Sequence, residues 1–373
     1  MLKFFTETYY FLLALEPRYK IVLFLVIALL LLAAIMVVIV LRERSRKNSV
    51  ENRERRISRN VEPIIQEIVF SEYDGGEFKD AIKKINRIVD SALYRKSNMA
   101  ILNGLILYYH RNLGGEAFNR LEMLYREIGL KQIALDNLKN GEWHIKAKAI
   151  NDLSTMRMGE SLFDILQFTD DDNQNVRYEA QYAAVKLGGK KAMAFLDDLD
   201  TPMSEWQQIR LLDQSLKFEY ELIDRVGTWL RSENNTVVVF GLMIMRHLNQ
   251  YHEKGELRKL LYHKDEKVQE KAIETARDLA YAECLENLYE VYELTKKTRI
   301  KKQILKAMGD LGGSKEVGFL RETIAREREY DLVFEAAKSL KRMGRRDVLI
   351  SYKEQELSEK GESIVKHILD DRI

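Results

Sequence analysis

NQNVRYEAQYAAVKLGG, residues 173–189, decides the fold, because three further stretches lie over it: DEKVQEKAIETARDLA (265–280), KTRIKKQILKAMGDLGG (297–313) and YDLVFEAAKSLKRMG (330–344). Seven copies can be placed by the residue that opens each helix: Trp143, Val176, Glu205, Val237, Val268, Ile300 and Leu332, spaced 33, 29, 32, 31, 32 and 32 residues apart. A near-constant period of this size marks a repeat architecture. Four residues after the opening position stand Ala147, Ala180, Ile209, Gly241, Ala272, Ile304 and Ala336, most of them small enough for a neighbouring helix to come close. Eleven residues after it stand Ser154, Leu187, Leu216, Leu248, Leu279, Leu311 and Met343, on the same helical face. Gly188, Gly312 and Gly344 are expected to stop three of these helices in the left-handed conformation.

Second amphipathic stretches separate the anchored ones: GESLFDILQFT (159–169), YELIDRVGTWLRS (220–232), AECLENLYEVYEL (282–294) and VGFLRETIARERE (317–329). Each repeat is therefore a helical hairpin that cannot cover its own apolar face, so neighbours must stack around one shared core. Only three prolines occur in 373 residues, and helix formers dominate from residue 60 onward, so almost no strand is expected. The fold class read from these features is all-α, an α-solenoid of about seven recognisable hairpins.

Val176-Arg177 near the start of the second helix, the alanines that follow and the closing Leu187-Gly188 resemble the short type of HEAT repeat. The match is partial at Val268-Gln269 and Ile300-Lys301 and weak at Glu205. The resemblance spans residues 140–345 and implies a fold more than a function. Some members of this class handle metals: deoxyhypusine hydroxylase resembles a HEAT solenoid whose repeated His-Glu pairs hold iron. Here His252-Glu253 alone forms that dipeptide, so the resemblance to that enzyme fails at its functional residues.

Upstream, residues 21–41 read IVLFLVIALLLLAAIMVVIVL, with no polar side chain. At 1.5 Å per residue they extend roughly 31 Å as a helix, the thickness of a hydrocarbon core. Lys3, Arg18 and Lys20 precede this run, whereas Arg42, Arg44, Arg46, Lys47, Arg53, Arg55, Arg56 and Arg59 follow it, which predicts a cytoplasmic C-terminal body. Arg42, Arg44, Arg46 and Lys47 are the candidate contacts to anionic lipid at the membrane surface. The expected organisation is an interfacial segment (1–20), a transmembrane helix (21–41), a basic stalk (42–59), a helical cap or divergent repeats (60–139), the HEAT-like repeats (140–345) and a C-terminal helical cap (346–373).

Composition narrows function by exclusion. Residues 1–59 hold 11 of the 60 Lys and Arg but 5 of the 58 Asp and Glu, leaving 49 basic against 53 acidic residues in the rest. Such a body lacks the basic excess that drives nucleic-acid binding, so no nucleic-acid partner is expected. A single cysteine, Cys284, forms no intramolecular disulfide and no thiolate cluster. No two of the six histidines stand four residues apart, and no phosphate loop, GxSxG or HExxH occurs, so neither catalysis nor a cofactor or metal is expected.

Binding remains. The residues one, two, five and six positions after each anchor are expected on the inner face of the stack. They give Arg177, Tyr178, Gln181, Tyr182, Gln207, Gln269, Lys301 and Lys302 as candidate contacts to a protein partner. The reading is a membrane-anchored scaffold or adaptor at the cytoplasmic side of an inner membrane. A membrane enzyme such as an envelope glycosyltransferase is a partner suggested only by likeness to HEAT-bearing envelope proteins of bacteria. The alternatives are a lyase-like HEAT enzyme and a self-assembling membrane protein that forms homo-oligomers.

Overall fold

The computed structural model describes residues 16–70, 75–90, 94–250, 252–352 and 359–369, and the helices below are those of the described residues. The interfacial segment expected over 1–20 falls almost entirely outside them. Two compact units divide between Leu130 and Lys131.

The first unit is built on one helix, α1 (Pro17–Phe70), about 81 Å long at the standard rise. Its described side chains from Ile21 to Leu41 are all exposed. The expected span, the basic stalk and the first helix of the folded body are thus one unbroken element. Burial begins at Ile57, and Val61, Ile65 and Ile68 continue the same face at intervals of one turn. That face packs against α2 (Gly75–Val89), α3 (Arg95–Asn112) and α4 (Glu116–Glu127), which contribute Ile85, Leu102, Ile106, Leu121 and Leu124 to a dry core. Arg53, nominally in the stalk, already lies 3.6 Å above the ring of Tyr94.

The second unit contains the hairpins. Its anchored helices are α6 (Trp143–Thr155), α8 (Gln174–Ala192), α9 (Glu205–Ser215), α11 (Asn235–His247), α13 (Glu266–Asp278), α15 (Thr298–Leu311) and α17 (Tyr330–Arg342). The helices preceding them are α5 (Leu130–Asn140), α7 (Leu162–Leu166), α10 (Ile223–Leu230), α12 (Lys254–Leu260), α14 (Leu285–Leu294) and α16 (Ser314–Arg326), all but α16 shorter than the anchored helix that follows. Ahead of α9 that place is taken by a single 3₁₀ turn, Met193–Leu196. Two closing helices, α18 (Arg346–Ser351) and α19 (Glu359–Leu369), pack on α17.

The period is tighter than the sequence suggested. In all seven anchored helices the N-cap residue (Glu142, Asn173, Ser204, Asn234, Asp265, Lys297 or Glu329) stands three positions before the anchor. This fixes the anchors as Ile145, Val176, Gln207, Val237, Val268, Ile300 and Leu332. Their spacings are 31, 31, 30, 31, 32 and 32 residues. The expected anchors Trp143 and Glu205 are both exposed and lie two residues early, so Ala147, Ser154, Ile209 and Leu216 also leave the aligned face. Their places go to Ala149, Met156, Leu211 and Phe218. Four of the caps are made by side chains: Asn173, Ser204, Asn234 and Asp265 each accept a backbone N–H of the first turn, satisfying a donor the helix leaves unpaired.

The helix ends also repeat. Arg157, Asn249, Ala280 and Gly344 stand twelve residues past their anchors at φ 50°, 47°, 50° and 74°. The following N–H groups, of Met158, Gln250, Tyr281 and Arg345, donate to the carbonyls of Leu153, Met245, Ala276 and Leu340 at 2.9–3.0 Å. Of the three expected stop glycines, Gly344 alone is left-handed. Gly312 ends α15 in extended conformation at φ −85°, and in α8 the break falls at Gly189, φ 57°, rather than at Gly188.

Successive anchored helices pack directly on one another, whereas the shorter helices of successive hairpins touch little. The anchored side is therefore the close-packed, inner wall. One buried apolar cluster runs without interruption from Val185 to Ile368. Each large side chain in it contributes about 1.5–3 kcal/mol, against about 1 kcal/mol or less for an exposed ion pair. Burial therefore sets the stacking, and the inter-repeat ion pairs only trim it.

α15 and α17 approach closely through Gly309: a Cβ there would stand 2.5 Å from the Cβ of Ser339. Gly309→Leu is expected to lower unfolding stability by about 2–3 kcal/mol in urea denaturation, through overpacking. Ala280→Gly, which relieves a left-handed alanine, should raise it by about 0.5–1 kcal/mol in the same measurement.

Candidate protein-binding face

The corrected register fixes which side chains face outward from the inner wall. Positions two and six after the anchor do so, and positions one and five do not. Tyr178, Tyr182 and Lys302 therefore lie on the open face, half-buried. Arg177, Gln181, Gln207, Gln269 and Lys301, expected there from sequence, are engaged in packing.

At position one the side chains turn toward the connections within and beside their own hairpin. The Arg177 guanidinium donates to the carbonyls of Asp171 and Asp172. Gln269 donates to the Leu261 carbonyl at 2.8 Å. Lys301 sits 4.7 Å above the Tyr292 ring and 3.2 Å from the Glu327 carboxylate. That carboxylate accepts a hydrogen bond from Tyr292, and burial together with its charge holds the Tyr292 phenol well above the ordinary tyrosine range.

Gln181 and Gln207 form a buried polar seam between two hairpins. The Gln181 amide donates to the Thr169 carbonyl at 2.7 Å, while its oxygen accepts from the Gln207 amide. The Gln207 oxygen in turn accepts the Ser204 N–H at 3.2 Å, completing a capping box. Gln207 is an anchor, buried like Val176, Val237, Val268 and Ile300, so its place in the core follows from hydrogen bonding rather than from hydrophobicity.

The open face is aromatic and apolar over three consecutive helices. Tyr178 and Tyr182 come from α8, and Arg210 of α9 stacks 4.1 Å above Tyr182 while pairing with Glu179 at 3.1 Å. Trp206 and Ile209, one turn apart on α9, are 68% and 51% exposed. Beyond them, α9 and α11 are the most loosely packed adjacent pair of anchored helices, and a cleft of roughly 460 Å³ opens there. Val239 and Met243 of α11 are its floor, Ile209 stands on one wall, and Glu270 and Glu274 of α13 stand on the other. Sequence reasoning missed this cleft. Its signal was the run TVVVFGLMIM (236–245), where even the two outward positions are apolar.

Chemistry outside this face is sparse. Among the described residues no group of three or more His, Cys, Asp or Glu side chains is arranged to hold a metal ion. Cys284 is buried, and burial pushes its thiol up to about 12, so it stays protonated and packs as a small apolar group. Of the three tryptophans, Trp229 is fully buried and donates to Asp197 at 3.1 Å, whereas Trp143 and Trp206 are exposed. Arg42, Arg44, Arg46 and Lys47 are exposed along α1, directly after the apolar run.

No family model matches this chain, and no curated protein matches it. Among solved structures, it is similar to an engineered protein at 12% identity and TM-score 0.34, covering 83% of this chain and 98% of that one. It is also similar to importin beta at 12% identity and TM-score 0.36, covering 88% of this chain and 48% of that one. The chain thus spans about half the length of importin beta. The all-helical solenoid stands on the packing described above.

Gln207→Ala is expected to cost about 1–2 kcal/mol, because it leaves the buried Gln181 oxygen without its donor. Replacing Gln181 and Gln207 together by leucine should cost clearly less than the sum of the single changes, as read by a double-mutant cycle in urea denaturation.

Proposed function

We propose that the chain is a membrane-tethered, HEAT-like scaffold that docks a protein partner on the inner wall of its hairpin stack, at the cytoplasmic face of the membrane. The observation that carries this reading is the exposure of Ile209 on the wall of the open cleft between α9 and α11, and of Trp206 one turn before it against Tyr178 and Tyr182 of α8. Large exposed apolar side chains next to an unfilled, partly apolar recess are the usual anchors of protein interfaces, and folded chains seldom leave them uncovered in contiguous patches.

Tethering is supported by α1, whose apolar third is long enough to cross a bilayer and has no side chain buried within the fold. The basic residues that follow it favour retention of the body on the cytoplasmic side. An anchor raises the concentration of a binding face near membrane-bound partners without any new contact. The fitted role is positioning rather than catalysis: the described residues gathered on the inner wall are aromatic, aliphatic and charged, many of the charges paired with one another, and among them no nucleophile stands beside a base.

In membranes crosslinked before extraction, Trp206→Ala combined with Ile209→Asp should remove the specifically captured partners by about tenfold or more while the protein stays in the membrane fraction. An unchanged captured set would refute the inner-wall assignment. A reporter fused at the C-terminus and active only outside the cytoplasm would refute the orientation.

A further inference from the structure

We infer that the inner wall takes a linear polypeptide segment with one or two large apolar side chains followed, after an uncharged spacer of about six residues, by a cluster of acidic ones. This rests on the scaffold reading above and specifies its partner.

The apolar part follows from the cleft. At roughly 460 Å³ it exceeds what one side chain fills, and its floor of Val239 and Met243 offers no hydrogen bond. Its charged walls are already compensated. Glu270 pairs with Arg299 at 2.7 Å, Glu274 with Arg246 at 3.4 Å, and Glu205 with Lys267 at 3.3 Å. The last pair, exposed on both sides, joins helices two hairpins apart across the cleft and is weakly held in water, so it yields to an entering ligand.

The acidic part follows from the helices beyond. On α15 and α17, Arg299, Lys302 and Arg342 are paired with Glu270, Asp331 and Asp310. Lys306 and Lys338, six positions past their anchors, occupy the register that Met243 and Glu274 use to line the cleft. Neither lysine has an ion-pair partner among the described residues, and neither does Lys341 one turn along α17. Adjacent turns of the inner wall thus carry three uncompensated ammonium groups, and their counter-charge is best supplied by a ligand.

Spacing joins the two halves. From α11 to α15 the wall crosses two helix-to-helix steps of about 8–10 Å each. An extended chain at about 3.3 Å per residue covers that distance in five or six residues. The stretch between runs past Glu270 and Glu274, which tolerates an uncharged spacer and repels a continuous phosphate backbone. A nucleic acid is disfavoured for the further reason that phosphate neutralisation needs a longer row of cations.

The test uses the full chain in lipid nanodiscs and a fluorescent synthetic peptide with a leucine–phenylalanine pair, six Gly/Ser residues and three glutamates. Saturable binding by anisotropy is expected, weakened about tenfold by Lys306→Glu with Lys338→Glu and about threefold or more by Ile209→Ala. It should weaken steadily as salt rises, and a peptide with lysines in place of the glutamates should not bind. The charge-reversed positions face solvent; should that variant unfold, Lys306→Gln with Lys338→Gln and the salt dependence of the unaltered protein decide instead. Absence of saturable binding, equal binding of the lysine peptide, indifference to the lysine substitutions, or displacement by a short single-stranded RNA would each overturn the inference. If the peptide fails while capture from membranes still depends on Trp206 and Ile209, only the ligand chemistry falls. If both fail, the scaffold reading falls with it.

Discussion

Each hairpin has one more apolar face than it can cover, and everything else in the second unit follows from that. A helix such as α13 buries Val268, Ala272, Ile273 and Ala276 only because α10–α12 stand on one side and α14–α15 on the other. Stacking is compatible with a single register when every hairpin has the same length, which explains why the anchors repeat at 30–32 residues while the loops vary in conformation. The N-cap stands three residues ahead of all seven anchors, and in four repeats a left-handed residue twelve positions past the anchor rules off the same length of helix. Where no glycine is available for the latter, an arginine, an asparagine or an alanine accepts the strained backbone. Local conformational cost is thus borne in favour of the shared core, whose burial contributes more free energy than the strain removes.

The candidate binding face arises where this constraint relaxes. Between α15 and α17 the close approach of Gly309 and Ser339 shuts the wall, and the Ser339 hydroxyl donates to the Leu305 carbonyl at 2.9 Å. Between α9 and α11 nothing comparable exists. The helix ahead of α9 is reduced to a 3₁₀ turn, and after Ser215 the chain passes through a 3₁₀ segment with a non-helical Phe218. A hairpin with a shortened first helix and a polar anchor, Gln207, holds its neighbours less closely. The recess that results is lined by the apolar side chains of the next helix. Weak stacking and exposed apolar surface therefore have one origin.

Much of the fold is legible in the sequence because periodicity is a property of the whole array, and five of the seven anchors follow from it directly. The other two fail for a definite reason. A template of hydrophobicity and spacing selects Trp143 and Glu205, but the anchors are Ile145, overshadowed by an adjacent larger aromatic, and Gln207, which no hydrophobic template selects. That slip of two residues carries over into the candidate site: it turns Gln207 outward when Gln207 is the anchor itself. Gln181 and Arg177 are misassigned when polar side chains are equated with solvent, whereas here they satisfy loop carbonyls inside the stack. The cleft is hidden for the converse reason, that an apolar outward position reads as core until the neighbouring helix is known to be distant.

The continuity of α1 joins the proposed anchor to the first folded unit. A stalk of flexible chain would let the folded body sample many distances from a bilayer. An α-helix from Leu41 to Ile57 instead holds the packed core of the first unit about 24 Å beyond the apolar run, since each residue adds about 1.5 Å and every backbone group is paired within the element. Pro63 interrupts this pairing by removing one N–H, yet it lies between Val61 and Ile65, both fully buried. The packed core therefore holds the helix where its own hydrogen bonding is incomplete. The stretch ahead of the packed core, residues 42–56, which Arg53 on the Tyr94 ring ties to the neighbouring chain, contains no proline or glycine and carries interspersed charges, including the Glu51–Arg55 pair one turn apart at 3.8 Å. Stiffness is thus retained between the apolar run and the packed core, where few neighbouring side chains prop the helix.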